Sequence, residues 1–203
     1  MQRYFAIAVC FIGMVWGVAA LAADAKPDAD GYIRDWLMLA PVPLKEDSVA
    51  SDEIGKEQIP GEATLKPNAG DKVKAGGKEL AWKSVHSTTN SFDLNAILNS
   101  QNENVAGYMV AYLVCEKAET DLTLFMGSND EGRVYLNGKA ILTASDARGL
   151  ELDSDKAEHL TLNAGVNVLV FKVINETNNW QGSIRFKDKS GKPFTGVTIK
   201  LAP

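Results

Sequence analysis

The chain has 203 residues, 45% of them hydrophobic, with 21 Lys and Arg against 26 Asp and Glu and a formal charge of −5. A chain of this length buries a sizeable core without disulfides or metals. The acidic balance and the lack of any basic run exclude nucleic acid and anionic membrane surfaces as natural partners.

At the N-terminus, Arg3 precedes an apolar run from Tyr4 to Ala19, and Ala20-Leu21-Ala22 follows as a small-x-small cleavage signature. The pattern predicts a secretory signal peptide over 1–22 and a secreted or periplasmic protein. The run is short for a spanning helix and contains Gly13 and Gly17, so no membrane insertion is expected after cleavage. Cys10 lies inside the run and leaves Cys115 as the one cysteine beyond it. Cys115 closes the apolar stretch from Tyr108, where a buried hydrophobe is expected rather than a nucleophile. Residues 23–30 are polar and read as a flexible N-terminal segment.

The first predicted strand, Tyr32 to Leu39, is closed by Ala40-Pro-Val-Pro43, because proline removes a ladder donor. From Lys45 to Gly77 the chain is charged and rich in Gly and Pro, with no sustained period. A long irregular excursion is predicted over 45–77, either padding the sandwich or forming part of a binding surface. Leu80 to Val85 alternates as a strand, Phe92 to Leu94 forms a short piece, and a helical turn follows around Leu94 to Leu98. Tyr108 to Val114 and Val166 to Val173 are apolar on both alternating faces and are expected as central strands covered on both sides. Between them come Asp121 to Met126, then Arg133 to Leu136 with a hairpin at Leu136-Asn-Gly-Lys139, then Ala140 to Thr143 and Glu158 to Leu162. Trp180 to Phe186 and Pro193 to Leu201 complete the series. Many short strands without a long helix predict an all-β protein, an antiparallel jelly-roll-like β-sandwich occupying 31–203 as a single domain.

Several segments carry a resemblance. In chain order they are Ile33 to Pro43, Gly76 to Trp82, Asn104 to Tyr112, Gly127-Ser-Asn-Asp-Glu-Gly-Arg-Val-Tyr-Leu-Asn-Gly-Lys139, Ala147 to Leu150, Asp153 to Lys156, Leu162 to Leu169, Asn179 to Arg185 and Asp188 to Lys192. Together they resemble small β-sandwich modules of secreted bacterial proteins of planctomycete type, often associated with glycoside hydrolases. The central piece also looks like the sugar-binding jelly-roll domains of β-galactosidase-type enzymes and the matching hairpin of PA14 modules. The resemblance implies a galactose-binding-like fold, and more weakly a carbohydrate ligand.

No catalytic set stands out, since His86 and His159 have no triad or metal spacing around them. A non-catalytic binding module is therefore expected, with a glycan as partner, or a cell-envelope protein if the domain is structural. No cofactor is expected. In the acidic loop Ser145 to Lys156, Asp153 and Asp155 are candidate oxygen ligands for a structural Ca²⁺; the alternative is a solvated turn in which Arg148 pairs with a neighbouring carboxylate. Trp36 and Trp82 lie within alternating strands and are expected in the core. Trp180 sits in an amide-rich loop, where it reads either as a platform for a sugar face or as a core residue closing the sandwich end. In the first reading Asn178, Asn179 and Gln181 bond to hydroxyls, and Arg148 and Asp146 of the acidic loop converge on the same concavity. Tyr135 alternates with Val134 and Leu136 and is a further candidate contact if it faces outward.

Overall fold

A computed structural model describes residues 25–203 of the chain. The expected signal peptide over 1–22 lies outside the described residues. The strands in chain order are β1 (Asp35–Pro43), β2 (Lys72–Ala75), β3 (Lys78–Ala81), β4 (Lys83–His86), β5 (Phe92–Asp93), β6 (Val105–Cys115), β7 (Glu119–Asn129), β8 (Gly132–Leu136), β9 (Lys139–Ala144), β10 (Asp155–Leu162), β11 (Gly165–Asn175), β12 (Gln181–Lys187) and β13 (Thr198–Lys200). Two short helices accompany them, α1 (Ala50–Glu53) and α2 (Leu94–Leu98). The larger sheet runs β4-β1-β6-β11-β8-β9, with β13 also paired to β6, and the smaller runs β10-β7-β12-β5; every pairing is antiparallel. From β6 onward the chain repeatedly crosses between the two sheets, which gives the jelly-roll character of this all-β sandwich.

The inter-sheet core follows from two-residue alternation. Leu122, Leu124 and Met126 of β7 and Ile184 and Phe186 of β12 meet Met109, Ala111 and Leu113 of β6 and Leu169, Phe171 and Val173 of β11. The two expected central strands, β6 and β11, pair along their whole length from Val105↔Asn175 to Cys115↔Gly165. Their other face is also buried, and this explains their unbroken apolar pattern. Tyr108, Val110, Tyr112, Val170 and Ile174 form a second core with Leu44, Ile54, Ile59 and Trp82. The Asn137-Gly138 turn, with φ of 51° and 83°, joins β8 to β9 as expected.

The chain between β1 and β3 departs from the expectation of an irregular excursion. It carries α1, a 3₁₀ turn (Glu62–Thr64) and β2, and lies as a strap across the outer face of the larger sheet. Each large apolar side chain that it buries contributes about 1.5–3 kcal/mol. A polar latch sits within this second core. Lys172 of β11, fully buried, lies within hydrogen-bond range of the carbonyls of Glu53 (3.1 Å), Ile54 (3.4 Å) and Lys56 (2.6 Å) and of the Glu62 carboxylate (3.3 Å). The hydroxyls of Tyr108 and Tyr135 donate to the two oxygens of the same carboxylate. Desolvation holds the Lys172 ammonium below the usual lysine range, against the pull of Glu62.

Three further expectations are corrected. The prolines do not end β1: a register shift between Leu39 and Val42 precedes renewed pairing of Val42 with Ala106 and Pro43 with Val105. On its other side β4 pairs only as far as Met38, so the prolines lie where no neighbour asks for their missing N–H. The expected strand Leu80 to Val85 is two strands parted at Trp82, whose N–H donates to Asp71 while its ring enters the second core. The described part of the expected flexible segment is tied down, with Ala25 bridged to Ile199 and the Asp28 carboxylate holding Tyr32 N and Arg34.

Candidate functional site

The residues singled out from sequence do not form one site. Trp180 is fully buried, and its Nε1 donates to the Val173 carbonyl at 3.2 Å. Its ring lies where a Cβ on Gly107 would come within 2.7 Å, so the glycine in β6 makes room for it. Trp180 closes the core and is not a stacking platform. Tyr135 is likewise buried, under the strap with its hydroxyl on Glu62, and is not a surface contact. Trp36 and Trp82 are in the core as expected.

In the acidic loop, Arg148 bonds to Asp155 and to Ser128 Oγ, which is the pairing expected of the solvated turn. Asp153 instead accepts from Arg185 Nε at 2.8 Å and lies 3.7 Å from Lys187 Nζ. The two carboxylates thus serve different cations rather than one shared metal position. Among the described residues no three His, Cys, Asp or Glu side chains gather into a metal-holding group. Asp146 is exposed on the loop, whereas the Trp180 ring is buried.

The amides of the polar loop before β12 lie apart from any exposed tryptophan, since the Trp180 ring is buried. The Asn178 carbonyl accepts from Asn95 Nδ2 at 2.8 Å and from the Gln101 side chain, and Gln181 Nε2 donates to Asp93 Oδ2 at 3.3 Å. Asn179 lines a concavity of about 410 Å³ with Asp93, Asn95, Asn99, Ser100 and Gln101. No aromatic ring lines it.

Phe125 places an aromatic side chain on an open face. Leu122, Leu124 and Met126 turn inward along β7, so Thr123 and Phe125 face out from the smaller sheet. Phe125 is half-buried and lines a concavity of about 500 Å³, edged by Asp121, Glu158, His159, Lys187, Asp188 and Lys189. Lys187 Nζ lies 4.6 Å from its ring centroid, and Arg185, 5.8 Å away, continues the row to Tyr32 at 4.8 Å. Asp153 neutralises both cations from the side.

The rim is irregular where β10 meets β7. Pairing shifts register between Ala157 and Leu160, and Asp121 and His159 take φ of 55° and 57°, a left-handed conformation that non-glycine residues seldom adopt. Such bulges re-aim side chains at strand edges, and here the Asp121 carboxylate and the His159 ring stand 3.5 Å apart, both largely exposed. Hydrogen bonds from Ser190 and Lys192 hold the Asp188 carboxyl below the usual range, and Lys156 does the same for Glu158. The rim thus offers carboxylate acceptors beside ammonium and imidazole donors, around an apolar floor.

A third concavity, of about 420 Å³, lies between the strap and the β8–β9 turn, lined by Ala63, Tyr112, Val166 and Val168 among others. It is mainly apolar, and its one side-chain amide, Asn137, is already committed to Val168 N and Asn167. No protein-family model and no curated protein sequence matches the chain.

Proposed function

We propose that the protein is an exported, non-catalytic module that binds saccharides on the outer face of its smaller sheet, with Phe125 as the floor. The observation that carries this reading is an outward aromatic ring in a concavity whose rim supplies both acceptors and donors. A pyranose presents an apolar C–H face and a ring of hydroxyls, and sites for such ligands combine an aromatic surface with a few placed polar groups. The near balance of acidic and basic groups on the rim favours a neutral sugar over a charged one. The signal-like N-terminus supports export, and the resemblance to modules associated with glycoside hydrolases points to the same ligand class.

The test is an immobilised glycan panel probed with the intact protein and with Phe125→Ala. Loss of the ring is expected to weaken binding about tenfold, in line with an aromatic contact worth roughly 1.4 kcal/mol, while thermal unfolding stays close to wild type because the side chain lies outside both cores. A wild-type protein that binds no glycan more strongly than the variant overturns the reading. Docking to a cell-envelope protein is the second reading, favoured by the apolar third concavity with its exposed Val166. A stoichiometric envelope protein, captured independently of glycan and lost in Val166→Asp, is the result that would support it.

A further inference from the structure

The Phe125 concavity and the amide-lined concavity lie along one side of the molecule. Gly182, Ile184 and Phe186 of β12 face the inter-sheet core, so Gln181, Ser183, Arg185 and Lys187 form its other row, in which Ser183 is buried under the loop that follows β9. Lys187 edges the Phe125 concavity. At the other end, Gln181 bonds to Asp93, which lines the amide-lined concavity. Six residues of extended strand separate these ends, roughly 20 Å. Midway, the loop that follows β9 lies on the sheet: the Glu151 carbonyl would come within 2.5 Å of a Cβ on Gly127, which pairs with Ser183. That loop exposes Leu152 and half-exposes Arg148, so the surface between the two hollows is itself a mixture of apolar and hydrogen-bonding groups.

We propose that the two concavities are the end subsites of one track for a linear, neutral oligosaccharide. This rests on the saccharide reading of the Phe125 surface and extends it from a single ring to a chain. The amides of Asn99, Gln101 and Asn179 each carry donors and an acceptor on one group, which matches neighbouring hydroxyls without demanding charge. Asn99 ends α2 at φ 51°, outside the helix, and both it and Asn179 are exposed. A single sugar occupies one hollow only. A chain that reaches both makes its second contact intramolecular, so two weak contacts combine into a stronger one.

The experiment titrates the full mature protein with β-1,4-linked gluco- and galacto-oligosaccharides, from monosaccharide to hexasaccharide, by calorimetry and amide chemical shifts. In at least one series affinity is expected to rise about tenfold or more between the disaccharide and the longest members, with shifts at Asn99 and Asn179 only for the long ones. Asn99→Gly with Asn179→Ala, chosen because glycine keeps the positive φ, is expected to abolish that gain. Binding of short members with no further gain on lengthening, or a gain that survives the double variant, overturns the track but leaves the saccharide reading standing. Absence of binding by every member in both series overturns the track, and the glycan panel then decides the saccharide reading separately.

Discussion

At the scale of single residues, the most exceptional group is Glu131, in the turn from β7 to β8. It is fully buried, and neither carboxylate oxygen has a hydrogen-bonding side chain or backbone donor among the described residues. Burial pushes its carboxyl up to about 7, from an ordinary value of 4.5, and the neighbouring Glu176 and Asp130 carboxylates add to the rise. Below the ordinary value the group is protonated whether the chain is folded or not, and folding incurs no penalty. As pH rises from the ordinary value to about 7 the unfolded chain gives up this proton to water while the buried carboxyl of the folded protein keeps it, so stability falls across this window and levels off above it. Glu131→Gln is therefore expected to match wild type near pH 4 and to exceed it near pH 8 by roughly 2–3 kcal/mol, as measured by urea unfolding. Parallel pH profiles for the two proteins would refute the assignment. Phe125 illustrates what was readable at this scale. Its outward orientation is implied by Leu122, Leu124 and Met126, although the surrounding rim is not. Trp180 illustrates the converse: its polar flanks describe chain neighbours, whereas its ring is housed by Gly107 in another strand.

At the scale of elements, the strap is held by apolar contacts and by the Lys172–Glu62 latch. Removing one member of a buried ion pair leaves the other without its counterion in a medium that solvates it poorly, at a cost of about 3–5 kcal/mol. Lys172→Met is expected to lose stability on that order. Adding Glu62→Gln should recover a large part, because the neutral amide needs no cation: its oxygen accepts from one of the Tyr108 and Tyr135 hydroxyls, and its NH2 donates to the other once that hydroxyl turns. Denaturant midpoints of the three proteins decide it, and a double variant no more stable than the single one would show that the strap does not depend on the pair. Sequence period located most strands because a strand buried on one face announces itself every second residue. The strap had no such period, since its large buried aliphatic residues (Leu44, Ile54, Ile59) are spaced by the sheet that they cover and not by their own backbone. For β1, pattern reading stopped at the prolines because it could not include the short reach of β4.

At the scale of the whole molecule, two cores share the same central strands: β1, β6 and β11 supply side chains to both. Loss of either core strips one face from strands that the other needs. The cores are therefore expected to unfold together, with coincident transitions by far-UV circular dichroism and by Trp fluorescence, in wild type and in Trp82→Phe alike. A fluorescence midpoint in wild type that precedes the loss of β signal, and disappears in Trp82→Phe, would show the strap melting on its own.

By itself the sequence determined the all-β class, the central strands, the β8–β9 turn and the burial of Trp36 and Trp82, because these follow from alternation and turn chemistry within a few residues. Only the tertiary structure decided that the strap covers the larger sheet, that Trp180 is sealed, that Asp153 and Asp155 serve separate cations, and that Phe125 lies in a polar-rimmed hollow. Each of these depends on what packs across from a residue. Such contacts are set by strands distant in the chain, and no local pattern encodes them.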